Sequence, residues 1–189
     1  MIQDIFKTPI YVSSCNVNRN KLLEYVNQYV ERNPTGKQAS NAGGYQSFAL
    51  NYDIEPIKSL LNEIIKNVYG YGKEIKIKSP IQLQGIWFNI NKTKESNMRH
   101  IHSGILSGVY YLKTNKDCGP IRFYHGYNDL MGFTWGNAEW KEKNDRNSEH
   151  WDIVPNNNDL ILFPSFLQHS VLANESTEDR ISFSFNFGI

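Results

Sequence analysis

The sequence predicts a mainly β fold of antiparallel strands, a sandwich or barrel, with helices at its N-terminal end. Two observations carry this. From about residue 74 onward, apolar and polar residues alternate with period two through a series of short segments with no helical stretch between them. Before that point apolar residues recur at helical spacing instead. Aromatics are also plentiful, with 11 Tyr, 10 Phe and 4 Trp, which suits a β-rich core and an aromatic-lined site. The 189 residues fit one domain. Residues 1–73 would form a helical annex with an edge strand, and residues 74–189 a β core with a long insert at about 126–151.

Taken in order, residues 5–12 (IFKTPIYV) read as a short strand interrupted by Pro9, which places it at a sheet edge. Asn18 caps a helix running to about Arg32, with Leu22, Leu23, Val26, Tyr29 and Val30 on one stripe. Asn33-Pro34-Thr35-Gly36 stops it, and residues 36–47 form a polar, glycine-bearing loop. A second helix follows Pro56 and buries Ile57, Leu60, Leu61, Ile64, Ile65 and Val68, with Gly70 and Gly72 as its stop. Strands are then expected at 74–78, 81–90, 107–113, 119–125, 159–163, 169–173 and 180–187. The 126–151 insert is far longer than a hairpin, and Trp135, Trp140 and Trp151 in or beside it argue for a functional lid over simple disorder.

Composition excludes several classes. A formal net charge of +1 provides no basic field for general nucleic-acid affinity. Cys15 and Cys118 match neither a disulfide framework nor a zinc knuckle, so two free thiols in a reducing cytoplasm are expected. The first residues lack the pattern of a signal peptide, and no window is apolar for the length of a bilayer.

The chemistry gathers at His100-Ile101-His102. Side chains at i and i+2 of a strand share a face, so His100 and His102 can reach one cation. His169 opens a later strand and supplies a third imidazole, a ligand that suits iron, copper or zinc. So small a ligand set leaves coordination positions open, as a catalytic metal requires. His125 and His150 lack such support and read as loop or strand histidines.

Further pieces join these histidines: Gly43-Gly44-Tyr45-Gln46-Ser47, Trp87-Phe88-Asn89, HIHSGILSGVYYL (100–112), FPSFLQHSV (163–171) and RISFSFN (180–186). Through them the chain resembles the 2-oxoglutarate/Fe(II)-dependent oxygenases, in particular a bacterial and phage branch. The resemblance implies a double-stranded β-helix, a cupin-like jelly-roll with the metal at its mouth. It implies that Fe(II) is held by His100, His102 and His169, and that Arg180 pairs with the distal carboxylate of 2-oxoglutarate, helped by Ser182 and Tyr111. The common iron triad has a carboxylate where His102 stands. Three arrangements follow: three histidines, which we favour, two histidines with water, or a carboxylate from elsewhere such as Asp117 or Asp129.

The expected activity is therefore a dioxygenase that converts 2-oxoglutarate to succinate and CO2 while hydroxylating a small-molecule or peptidyl substrate, with self-association into a homodimer left open. Two other classes compete with it. One is a silent jelly-roll module binding carbohydrate or peptide, and the other a cupin-type metal enzyme that does not use 2-oxoglutarate.

Overall fold

Asn18 starts the first helix in the computed structural model, which describes residues 1–189. Its side-chain oxygen accepts from the Lys21 amide at 3.1 Å and caps α1, Arg19–Arg32. Upstream lies the edge strand β1 (Tyr11–Ser14), shorter and later than its apolar pattern suggested because Pro9 falls outside the ladder. Two-residue strands β2 (Asn41–Ala42) and β3 (Tyr45–Gln46) follow in the glycine-bearing loop.

Helix α2 spans Ile57–Glu74, through Gly70 and Gly72. It ends where Lys76 takes a left-handed φ of +57°. There the Ile77 amide donates to Gly72 O at 3.1 Å and the Lys76 amide to Lys73 O at 3.2 Å, the paired bonds of a Schellman stop. The alternating stretch 74–78 is thus a helix end and no strand, and the β core begins at β4 (Gln82–Asn91). It continues with β5 (Ser96–His100), β6 (Leu106–Lys113) and β7 (Ile121–Tyr124). The insert holds a short helix, α3 (Asn128–Trp135), and leads into β8 (His150–Ile153). Strands β9 (Asp159–Pro164), β10 (His169–Val171) and β11 (Arg180–Gly188) complete the chain.

All strand pairs are antiparallel, in two sheets ordered β1-β9-β6-β11-β4-β3 and β2-β5-β10-β7-β8. From β4 to β11 the chain passes back and forth between the sheets, with only β7 and β8 consecutive in one of them. That winding is the double-stranded β-helix. Because side chains alternate, each strand of the larger sheet serves two layers. Phe88, Tyr110, Leu162, Phe183 and Phe185 point outward and pack with Leu22 of α1 and Leu60 and Ile64 of α2. Val109, Tyr111, Ile161 and Phe163 point inward and meet Ile121 and Phe123 of the second sheet. Each fully buried Leu or Ile in these layers contributes roughly 1.5–3 kcal/mol. The inward face of β11 is polar instead, carrying Arg180, Ser182, Ser184 and Asn186. Polar residues in a barrel interior direct attention to that end of the molecule.

Candidate active site

Three strand ends converge at the barrel mouth. His100 closes β5, His169 opens β10, and the two face each other in register. His102 lies just past β5, where its amide donates to Ser165 O at 3.0 Å and holds the loop against the end of β9. One ring nitrogen from each histidine lies within 4.8 Å of the others, and no Asp or Glu shares the group. Asp117, Asp129, His125 and His150 all stand outside it. Of the three arrangements open to the sequence, the one with three imidazoles is assembled here.

Hydrogen bonding fixes two of the rings. His100 Nδ1 lies 2.6 Å from Met98 O and His169 Nδ1 lies 2.9 Å from Leu167 O. A carbonyl only accepts, so each Nδ1 carries the proton and each Nε2 keeps a free lone pair. Burial keeps the rings neutral. It pushes His102 down to about 4 and His169 to about 3, with His100 adding repulsion in both cases. His100 is lowered by burial as well, opposed by its bond to the Met98 carbonyl. Three neutral imidazoles with exposed lone pairs form a ligand set for a borderline divalent metal.

Behind the histidines, Arg180 is 1% exposed. Its Nη1 donates to the carbonyls of Cys118, Gly119 and Leu172, which fixes the plane of the guanidinium. Nε and Nη2, the two donors on its other edge, are buried with no partner, and so is the Tyr111 hydroxyl. Burial raises the Tyr111 pKa, so the phenol stays protonated as a donor. Ser182 pairs with Tyr111 across β11 and β6, and both line the inner cavity with His100, His102 and His169. A buried cation and three donors without acceptors would be costly unless an anion meets them.

The β core from residue 85 to 186, more than half of the chain, matches the family model described as "Putative 2OG-Fe(II) oxygenase". The chain belongs to that oxygenase family. Its members are Fe(II)- and 2-oxoglutarate-dependent dioxygenases, so Fe(II) is the cofactor and 2-oxoglutarate the cosubstrate. Solved oxygenases share the fold at low identity. A Pseudomonas putida prolyl-4-hydroxylase has a TM-score of 0.61 at 13% identity, covering 95% of this chain and 91% of its own. HygX from Streptomyces hygroscopicus, crystallised with nickel and 2-oxoglutarate, gives 0.62 at 12%, covering 96% and 83%. A Trichoplax adhaerens prolyl hydroxylase in complex with a hypoxia inducible factor peptide fragment gives 0.65 at 14%, covering 95% and 83%. No curated protein matches the sequence.

The residues of this oxygenase fit both groups. Neutral imidazoles suit iron, and an unpaired guanidinium edge beside a phenol hydroxyl suits a carboxylate. Sequence reasoning missed other parts of the site. A cavity of about 580 Å³ opens above His100 and His102, and Lys37, Gln84, Trp87 and Arg99 line it. The Trp87 ring lies 5.9 Å from that of His102. Asn89, quoted only as part of a shared piece, carries a buried Oδ1 without a partner. The alternation of β4 from Ile86 onward, with Trp87 and Asn89 on the face opposite Ile86 and Phe88, was the signal available for both. No helix is long and apolar enough to cross a membrane.

Proposed function

We propose that this dioxygenase is a hydroxylase in which His100, His102 and His169 hold Fe(II) while Arg180, with Ser182 and Tyr111, holds the distal carboxylate of 2-oxoglutarate. The observation that carries this reading is the free edge of Arg180, two buried donors with no acceptor in the protein. When bound, iron and 2-oxoglutarate supply the oxidative decarboxylation that yields succinate and CO2 and delivers one oxygen atom of O2 to the substrate.

The chain's own residues bind and orient these groups. The carbonyls of Met98 and Leu167 hold two imidazoles with Nε2 available. Carbonyls behind Arg180 aim its fork, which matches a carboxylate in a way an ammonium cannot. Val109, Ile121 and Phe163 form an apolar part of the inner cavity wall, which strengthens charge interactions beside it. The wider cavity above gives the substrate its access to the histidines. A silent binding module, or a cupin enzyme without 2-oxoglutarate, leaves the buried fork of Arg180 without a purpose. Cys15 and Cys118 are free and buried, which supports a reducing, cytoplasmic setting.

The deciding experiment adds 2-oxoglutarate to the anaerobic Fe(II) protein. A weak visible charge-transfer band, followed by 2-oxoglutarate-dependent succinate formation in air, is the expected result. Absence of both, with iron bound, would overturn the reading.

A further inference from the structure

Asn89 of β4 is a buried polar residue of the inner cavity that neither the three histidines nor the Arg180 pocket uses. It is 6% exposed and lines the cavity with Tyr111, Ser182, Ser184 and the histidines. Its Nδ2 donates to Ser184 Oγ at 3.1 Å, while its Oδ1 is buried with no hydrogen bond. Strand pairing fixes its place. Ser182 stands between Asn89 on β4 and Tyr111 on β6, one row across three strands. The next row toward the mouth pairs Trp87 with Ser184, and the Trp87 ring is the one beside His102. The bond to Ser184 therefore carries the Asn89 amide from the Tyr111 row toward the candidate metal centre.

An amide offers a cavity an acceptor or a donor according to how it is turned. As placed, Asn89 offers oxygen, whereas the other buried groups without partners, Arg180 Nε and Nη2 and the Tyr111 hydroxyl, are all donors. 2-Oxoglutarate is a dianion that brings acceptors and no donor, so a buried acceptor facing it would stay unpaired. With the amide turned over, Oδ1 accepts the Ser184 hydroxyl proton and Nδ2 faces the cavity, which leaves no acceptor orphaned. We propose that Asn89, turned in this way, is a further binding residue for 2-oxoglutarate, donating from Nδ2 to an oxygen of the cosubstrate, with Ser184 holding the orientation. The proposal rests on the oxygenase reading, in which 2-oxoglutarate fills the inner cavity. It also accounts for the choice of an amide. Three imidazoles bring no charge to balance a divalent metal, and Arg180 adds a further positive charge, so an uncharged donor completes the wall without adding to the excess.

The test titrates 2-oxoglutarate into the anaerobic Fe(II) protein by calorimetry, with the charge-transfer band recorded on the same samples. Asn89→Ala should weaken 2-oxoglutarate about ten- to a hundredfold, the scale of one hydrogen bond to a charged group. Asn89→Asp is nearly isosteric and still accepts from Ser184, but it has no proton to donate and adds like charge. It should weaken 2-oxoglutarate more than Asn89→Ala does. A residue that only packs β4 against β11 gives the reverse order, since Ala leaves a hole and Asp does not. Ser184→Ala releases the amide and should weaken binding by a smaller factor, about two- to tenfold. Iron content should match the wild type in all three. Wild-type affinity in Asn89→Ala, or tighter binding by Asn89→Asp than by Asn89→Ala, overturns the proposal. Should both Asn89 variants fail to fold, Ser184→Ala decides, and wild-type affinity there overturns it. If the wild type shows the band while the variants bind as it does, Asn89 has no part in holding the cosubstrate and the oxygenase reading stands. If the wild type shows neither band nor binding, the oxygenase reading itself fails.

Discussion

At His102 a ring stands where the common triad has a carboxylate, and the surroundings suit that ring. It is pushed down to about 4 by burial and by His100, so it is neutral and ready to ligate. Replacing His100, His102 or His169 by Ala should weaken Fe(II) binding by at least the roughly 10–100-fold that follows loss of even an outer partner of a metal ligand. Iron content after reconstitution measures this, and a His102→Ala protein that keeps one tight equivalent would remove His102 from the ligand set. His102→Asp restores the common triad and should hold iron with the fold intact. Precipitation, or loss of all metal, would show a slot shaped for imidazole. Arg180 gives the sharper prediction. Breaking a buried charge pair costs roughly 3–5 kcal/mol, because the remaining charge is uncompensated. Arg180→Ala should therefore weaken 2-oxoglutarate by roughly two to three orders of magnitude with iron affinity nearly unchanged. Arg180→Lys should recover only part of that loss, since it lacks the fork. Succinate formation against 2-oxoglutarate concentration at saturating iron reads both, and a dependence identical to wild type would exclude Arg180 from the cosubstrate site.

Among the elements, legibility in the sequence followed burial. Strands β4, β6 and β11 could be read because one face packs on helices and the other lines the barrel, so alternation is enforced along their length. Strand β5 (SNMRH) could not, since Met98 and Arg99 are exposed and no apolar period marks it. Its existence is imposed by its partners β2 and β10. The stretch 74–78 failed in the opposite sense. Its alternation is real but Ile75 is 38% exposed, and the stop at Lys76 prevails over local pattern. In the site, the histidines and Arg180 were legible through the order of their motifs. Lys37 and Arg99 were not, because only tertiary folding brings residues 37 and 99 to one cavity. Gly108 on β6 tests the packing of the layers. A Cβ there would stand 2.5 Å from the Phe185 ring and 2.7 Å from Leu162 Cδ2. Gly108→Ala should cost about 1–3 kcal/mol by overpacking, and each kcal/mol should lower Tm by roughly 2–4 °C. A melting curve that matches wild type would mean the sheet and α2 part easily at this point.

For the molecule as a whole, the two layers differ in what they need. The helix-facing core joins α1 and α2 to four central strands of the larger sheet by apolar packing, to which Arg19 of α1 adds a pair of hydrogen bonds donated to Leu112 O of β6. The candidate metal centre sits at the opposite face, and its ligands come from strands already tied by backbone pairing, as the His169 to His100 register shows. The metal is therefore a guest of a finished scaffold, unlike the ion of a zinc finger, whose binding energy is the folding energy. Chelation should leave the far-UV circular dichroism unchanged and a cooperative thermal transition in place. Rebinding should then raise stability by linkage alone, which at a free Fe(II) concentration of 100 Kd amounts to about 2.7 kcal/mol. For a chain of this size that is a shift of roughly 5–11 °C in Tm. The measurement is a thermal melt of the anaerobic protein before and after chelator, then with iron restored. Collapse of the dichroism on chelation would mean that the barrel mouth depends on the metal. An unchanged Tm on adding iron would mean that the three histidines hold no ion in the folded protein.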